Sequence, residues 1–166
     1  MNKPGQADLP QAVKQAKRIQ QDKARLIFLS SPAGVDVANA ELETLFDELD
    51  KLGAEIREKA PGFELGFERN AREGVMRGQG FSIHLLWTCP ALKVTYWNGW
   101  VYLGLNVDPK VRKIGGMDFA FDGTGKDGVD WRELRKKPRF FTSANLPNHL
   151  VGEVLHKIDP SGSSSQ

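Results

Sequence analysis

A chain of 166 residues, 40% apolar and 27% charged, is long enough to bury a core and ordinary in composition for a globular protein. A formal net charge of +2 is too small for bulk electrostatics to argue for nucleic acid, and no apolar run approaches the ~20 residues of a membrane span. Cys89 is the only cysteine, so no intrachain disulfide forms, and Met1 to Pro10 lacks the segments of a secretory signal; the expected location is cytoplasmic.

Asp8, Pro10 and Gln11 resemble a helix start: an acceptor at the cap, a proline in the first turn, and a side chain that reaches back. Ala12, Val13, Ala16 and Ile19 follow at helical spacing, and Leu26 to Leu29 is apolar all round. The pattern predicts a helix running to about Leu29 with a buried end, broken by Ser30 to Gly34. Asp36 is the expected cap of a second helix, whose Leu42, Leu45, Phe46, Leu49, Leu52 and Ile56 form one apolar face. Pro61-Gly62 stops it.

The period then changes to two. Phe63, Leu65 and Phe67 predict a half-exposed strand, with Arg69 to Gly74 as its turn. Phe81, Ile83, Leu85 and Trp87 predict a second, ended by Cys89-Pro90. Leu92 to Leu105 carries alternating β-branched and aromatic residues on either side of Asn98-Gly99, the sequence of a two-residue type I′ hairpin. That register pairs Trp97 with Trp100, Thr95 with Tyr102 and Val94 with Leu103.

Ile114 to Asp122 predicts the next strand. Gly123 to Arg139 reads as mostly loop, with one helical turn at Trp131 to Leu134, and Phe140-Phe141 as a short last strand. Ser143 or Asn145 caps a final helix with Leu150, Val151, Val154, Leu155 and Ile158 on its buried face. The expected fold class is α+β: an antiparallel sheet of about five strands, two N-terminal helices and one C-terminal helix packed on it. One globular unit spans 1–160, and the Ser/Gly-rich 161–166 is an expected disordered tail.

For function, the face of the hairpin turned from the helices carries Lys93, Thr95, Trp97, Trp100 and Tyr102, an aromatic surface able to stack on bases or grip a protein. Arg132, Arg135, Lys136, Lys137 and Arg139 make a late basic segment suited to phosphates, with Lys110, Arg112 and Lys113 as possible additions. The expectation is a non-enzymatic binding module with nucleic acid ahead of protein as ligand, and with no cofactor. A protein–protein adaptor, immunity or assembly factor acting through the second helix or a homodimer is the alternative, and a metal-dependent hydrolase using Asp118, Asp122 and Glu64 or Glu68 a weaker one.

Other constellations argue less. The acidic loop from Asp122 fails a calcium loop, with Lys126 at position 5 and Asp127 at position 6. His149, Glu153 and His156 share a helix side but lie on its polar face, as expected of a solvated surface. His84 reads as a surface or hydrogen-bonded histidine, and Cys89, with no base nearby in sequence, as a structural thiol.

Overall fold

The computed structural model describes residues 9–123 and 131–158. Two helices, α1 (Leu9–Ser30) and α2 (Pro32–Lys59), precede a run of strands, and α3 (Leu146–Ile158) closes the described chain. The strands are β1 (Leu65–Arg69), β2 (Glu73–Gly78), β3 (Phe81–Thr88), β4 (Ala91–Trp97), β5 (Val101–Tyr102), β6 (Asn106–Val107), β7 (Lys113–Phe121), β8 (Trp131–Glu133) and β9 (Phe140–Phe141). Seven of them form one antiparallel sheet in the order β1-β2-β3-β4-β7-β8-β9, and β5 and β6 pair separately. The α+β class and the placing of the helices are as expected; the sheet is larger by two strands. The expected Asp8 cap and the 161–166 tail fall outside the described residues, as does 124–130 of the expected loop.

The helical spacing of α2 decides the core. Leu42, Leu45, Phe46 and Leu49 are buried against Met76, Ile83 and Leu85 of the sheet and Leu150 of α3. Large aliphatic side chains bring about 1.5–3 kcal/mol each when buried, so this face is unavailable to a partner. Trp87 Nε1 donates to Asn39 Oδ1 at 2.8 Å, and Ser143 Oγ donates to Glu41 Oε1 at 2.5 Å, tying the helix to β3 and to the turn that precedes α3. The helix cap is Ser31, not Asp36: its Oγ accepts from the Gly34 amide at 3.1 Å, and Pro32 takes the first turn, where no amide is needed.

Three further expectations change. The 92–105 hairpin does not form. Neither Asn98 nor Gly99 has the positive φ that a type I′ turn requires; the left-handed residues are Gly104 and Leu105, at the tip between β5 and β6. The outer edge of β4 pairs with β7 instead, from Ala91 opposite Ala120 to Trp97 opposite Lys113, a ladder longer than the hairpin offered. Gly99 is required for closeness: a Cβ there would lie 2.7 Å from the Val111 side chain.

Second, Trp131–Glu133 is a strand, not a helical turn. Trp131 is buried against Phe121 and Trp87 at ring separations of 5.8 and 5.7 Å, and its indole N–H donates to Ser143. Third, the end of α1 is not buried. Leu29 alone of its described residues is enclosed, while Leu26, Ile27 and Phe28 are exposed, as are Leu155 and Ile158 of α3. Phe46 sits at the centre of the core, its ring edge-on to Phe67 at 5.4 Å. Phe46→Ala is expected to cost about 3–5 kcal/mol in urea unfolding; a loss below about 1 kcal/mol would contradict this core.

Candidate functional site

Alternation along the strands sorts the sheet into two faces. Phe81, Ile83, Leu85 and Trp87 of β3 meet the helices, so Ser82, His84 and Leu86 face away, with Glu73, Val75 and Arg77 of β2 and Lys93, Thr95 and Trp97 of β4 beside them. A helix-free sheet face is ordinarily wet, yet Glu73, Val75, Ser82, His84 and Thr95 are buried. The β5–β6 hairpin covers them. Val101, fully buried, donates its amide to Ser82 Oγ at 3.1 Å, and Ser82 Oγ donates to Gly99 O at 2.6 Å.

The centre of this layer is charged. Glu73 Oε2 lies 2.5 Å from His84 Nε2, and both carboxylate oxygens accept from the Gly104 amide at 2.8 Å. Burial pushes the Glu73 carboxyl up, but the hydrogen bonds from His84, Gly104 and Asn70 and the charge on His84 outweigh it, holding the group below the ordinary carboxylate range. The tip of the hairpin is thus tied to the sheet by a buried carboxylate.

That tie positions the aromatic residues. Trp100 Nε1 donates to Gly78 O at 2.7 Å, and Arg77 Nη1 donates to Val101 O at 3.3 Å. The Arg77 guanidinium lies 5.9 Å from the Trp100 ring centre and 5.0 Å from that of Tyr102, while Glu68 holds its far side at 2.8 Å. Trp100 and Tyr102 remain 42% and 48% exposed. Beside them is an open groove of about 310 Å³ lined by Arg57, Glu64, Leu65, Gly66, Arg77 and Trp100. Trp97 is half-buried and donates to Thr95 Oγ1 at 2.9 Å. Lys113 stands opposite Trp97 in the ladder, and the Arg112 amide donates to Asn98 Oδ1 at 2.7 Å, so exposed Lys110, Arg112 and Lys113 border the same end of the sheet.

The late basic segment lies elsewhere. From β2 to β8 is four strand spacings, about 19 Å. Arg135 and Arg139 both grip Glu133, a buried carboxylate on the helix side of β8, at 3.0 and 2.8 Å, and Arg132 lies 4.0 Å from Asp122. Lys136 and Lys137 are exposed on the connection to β9, and Lys93 is exposed on β4. The predicted site residues therefore fall into two groups, with Trp97, Trp100 and Tyr102 in one and 132–139 in the other. Sequence reading missed Arg77 and the Glu73–His84 pair; no spacing in the sequence links Glu73 to Gly104.

Among the described residues no three His, Cys, Asp or Glu side chains gather as a metal-holding group. His149 is half-buried with its ring stacked 4.5 Å from Phe141 and Nε2 4.0 Å from Glu153, while His156 is exposed. Cys89 borders a cleft of about 510 Å³ between α2 and the end of β3, and burial pushes its thiol up, opposite to the shift that would activate it. No helix among the described residues is long and apolar enough to cross a membrane. No protein-family model matches the sequence, and comparison with curated proteins and with solved structures returns no match.

Because the folded Glu73 carboxyl is held low, its stabilisation is complete above the ordinary carboxylate range and is lost as pH falls through the depressed folded value. Acidification should therefore lower the hydrogen-exchange protection factor of the Gly104 amide, measured against its intrinsic rate at each pH. Glu73→Ala is expected to do the same at neutral pH and to cost about 3 kcal/mol by urea unfolding. Unchanged Gly104 exchange in that variant would break the assignment.

Proposed function

We propose that the chain is a non-enzymatic binding module for single-stranded nucleic acid, working through the outer face of the sheet around Trp100. The observation that carries the reading is the exposed stack of Trp100, Arg77 and Tyr102. Every base offers a π-face to such rings, and the Arg77 guanidinium, its charge met by Glu68, packs against both and holds them in place. The adjoining groove of about 310 Å³ has space for one base with its sugar, since nothing approaches the position a Cβ would take on Gly66.

Charge orders the rest of the footprint. Glu68 is paired to Arg77, and Glu64 lines the groove, so phosphate contacts fall to Lys110, Arg112 and Lys113 at the neighbouring end. Lys93 lies further along β4, opposite Asp118 in the ladder, and stands apart from this edge. Two of the arginines in the 132–139 segment are engaged with Glu133, which leaves Lys136 and Lys137 as a separate, weaker patch. A base-stacking face with a lysine and arginine border suits a flexible strand better than a duplex, whose bases are already stacked.

Fluorescence anisotropy with labelled oligothymidylate and oligouridylate tests the reading. Binding at low salt should weaken log-linearly as salt rises. Trp100→Ala or Tyr102→Ala should weaken it by about 5- to 150-fold, the range for removing one base–aromatic stack. The double variant Arg112→Glu/Lys113→Glu should lower both affinity and the salt slope. No binding of either oligonucleotide at low salt overturns the proposal.

A further inference from the structure

The 22 residues of α1 would span about 33 Å, and Leu29 is their one buried member. Its final turn is anchored by Arg25, whose Nη1 lies 3.0 Å from Asp122, and by Leu29, whose methyl groups lie against Gly123. Ile27 is two residues from each, about 200° round the helix. The side that carries Ile27 therefore faces away from the body, at 72% exposure. Leu9, Val13, Ile19 and Leu26 lie on the same broad side by helical spacing, and all are exposed. Ala12 and Ala16 lie among them. An amphipathic helix has turned its apolar side outward.

Its charge is one-sided. Leu9–Ser30 carries Lys14, Lys17, Arg18, Lys23 and Arg25 against Asp22 alone. Lys17 follows Val13 by four residues and borders the apolar stripe, while Gln20 and Lys23, which follow Ala16 and Ile19 by four, interrupt it. A second α1 laid on the first would set like charges together. The opposite pattern lies on α2, where Asp36, Ala40, Glu43, Asp47, Asp50 and Ala54 follow steps of four and three. All six are exposed, an acidic stripe with alanine at two positions and exposed Lys51 beside it, four residues after Asp47. Arg69 neutralises part of it, at 2.8 Å from Asp47 and 3.6 Å from Glu43. Alongside its N-terminal half runs the cleft of about 510 Å³, lined in part by Val35, Ala40, Trp87 and Cys89.

We infer that α1 docks on the acidic stripe of α2 in a second copy of this chain, the two contacts being reciprocal about a two-fold axis. Ser31, the one residue between the helices, caps α2, and Gly34 is packed so closely that a Cβ would meet the Phe28 carbonyl at 1.8 Å. That junction holds the stripe of α1 outward, away from its own α2. A stable interface buries about 1,200–2,000 Å² in total, which the two helix contacts would supply together. The inference stands apart from the nucleic-acid reading, because α1 and α2 lie in the helix layer and Trp100 on the opposite face.

Analytical ultracentrifugation tests it by a charge exchange. The wild type should sediment as a dimer that weakens with salt. Lys17→Glu/Lys23→Glu and, separately, Asp36→Lys/Asp50→Lys should each sediment as monomers, with unchanged circular dichroism. Mixed together they should form a heterodimer, since the exchanged charges at 17 and 23 then face the exchanged charges at 36 and 50. A wild type that stays monomeric, a dimer that survives either exchange, or a mixture that fails to associate overturns the inference. So does a monomer that cosediments with phosphatidylserine vesicles, which would assign the stripe to a lipid surface.

Discussion

The Glu73 carboxylate on the outer face of the sheet is the constraint on which the upper layer depends. A buried charge needs donors, and the sheet itself offers only His84 beside it. The remaining lone pairs are met by the Asn70 side chain, from the turn before β2, and by the Gly104 amide, which belongs to a hairpin otherwise joined to the sheet by Ser82, Arg77 and the Trp100 indole. Those bonds explain why β5 leaves the edge of β4. Paired to β4, Val101 and Tyr102 would have left Glu73, Val75 and His84 in water or unsatisfied. Folded over the face, the same residues enclose the pair and release β4 to β7. The exposed aromatic surface is a by-product of that enclosure, since Trp100 and Tyr102 are the outward side of the lid whose inward side is Val101.

How much of this is legible in the sequence depends on how local the cause is. The face of α2 is written at three- and four-residue spacing, and β3 at alternate positions, because both faces meet one continuous core. The strand β2 hides. Its helix-facing positions are Gly74, Met76 and Gly78, and the two glycines leave room for the rings of Phe67 and Phe81, which approach to 2.7 and 2.3 Å of where a Cβ would stand. Two of its three inward positions are thus filled by the Phe67 and Phe81 rings, and no alternation remains to be read. Asn98-Gly99 misleads for the converse reason. The dipeptide permits a tight turn, but whether one forms is decided by β7, some fifteen residues further on.

The basic run at 132–139 shows the same limit in charge. As sequence it is an excess of arginine and lysine. As structure, Glu133 lies inside the run, buried on the helix side of β8, and Arg135 and Arg139 close on it from the following turn. An acid enclosed by the fold needs compensating cations within a few ångströms, and the chain provides them from the adjacent residues. Charge counted along a sequence reports on ligands only after such internal demands are subtracted. On the aromatic face the same subtraction removes Arg77, engaged by Glu68, and leaves the positive edge at 110–113.

Apolar surface obeys a parallel rule, and α1 is where it fails within the chain. Leucine, isoleucine and valine on a surface are unremarkable one at a time; gathered on one side of a helix they mark an interface. In α2 the gathered side chains found a sheet. In α1 they found nothing, although Ala, Gln, Lys and Arg favour the helix without tertiary help and so allow it to project. Basic flanks on that projecting stripe and an acidic stripe on α2 belong to one sequence but cannot meet in one copy, because Arg25 and Leu29 fix the turn that orients α1. A charge pattern that is complementary within a chain and geometrically separated within the fold is open to pairing between copies, which is the association inferred above. Association of that kind uses the helix layer alone and leaves both aromatic faces open, so a long strand engaging both would gain from effective concentration, with no new contact on either.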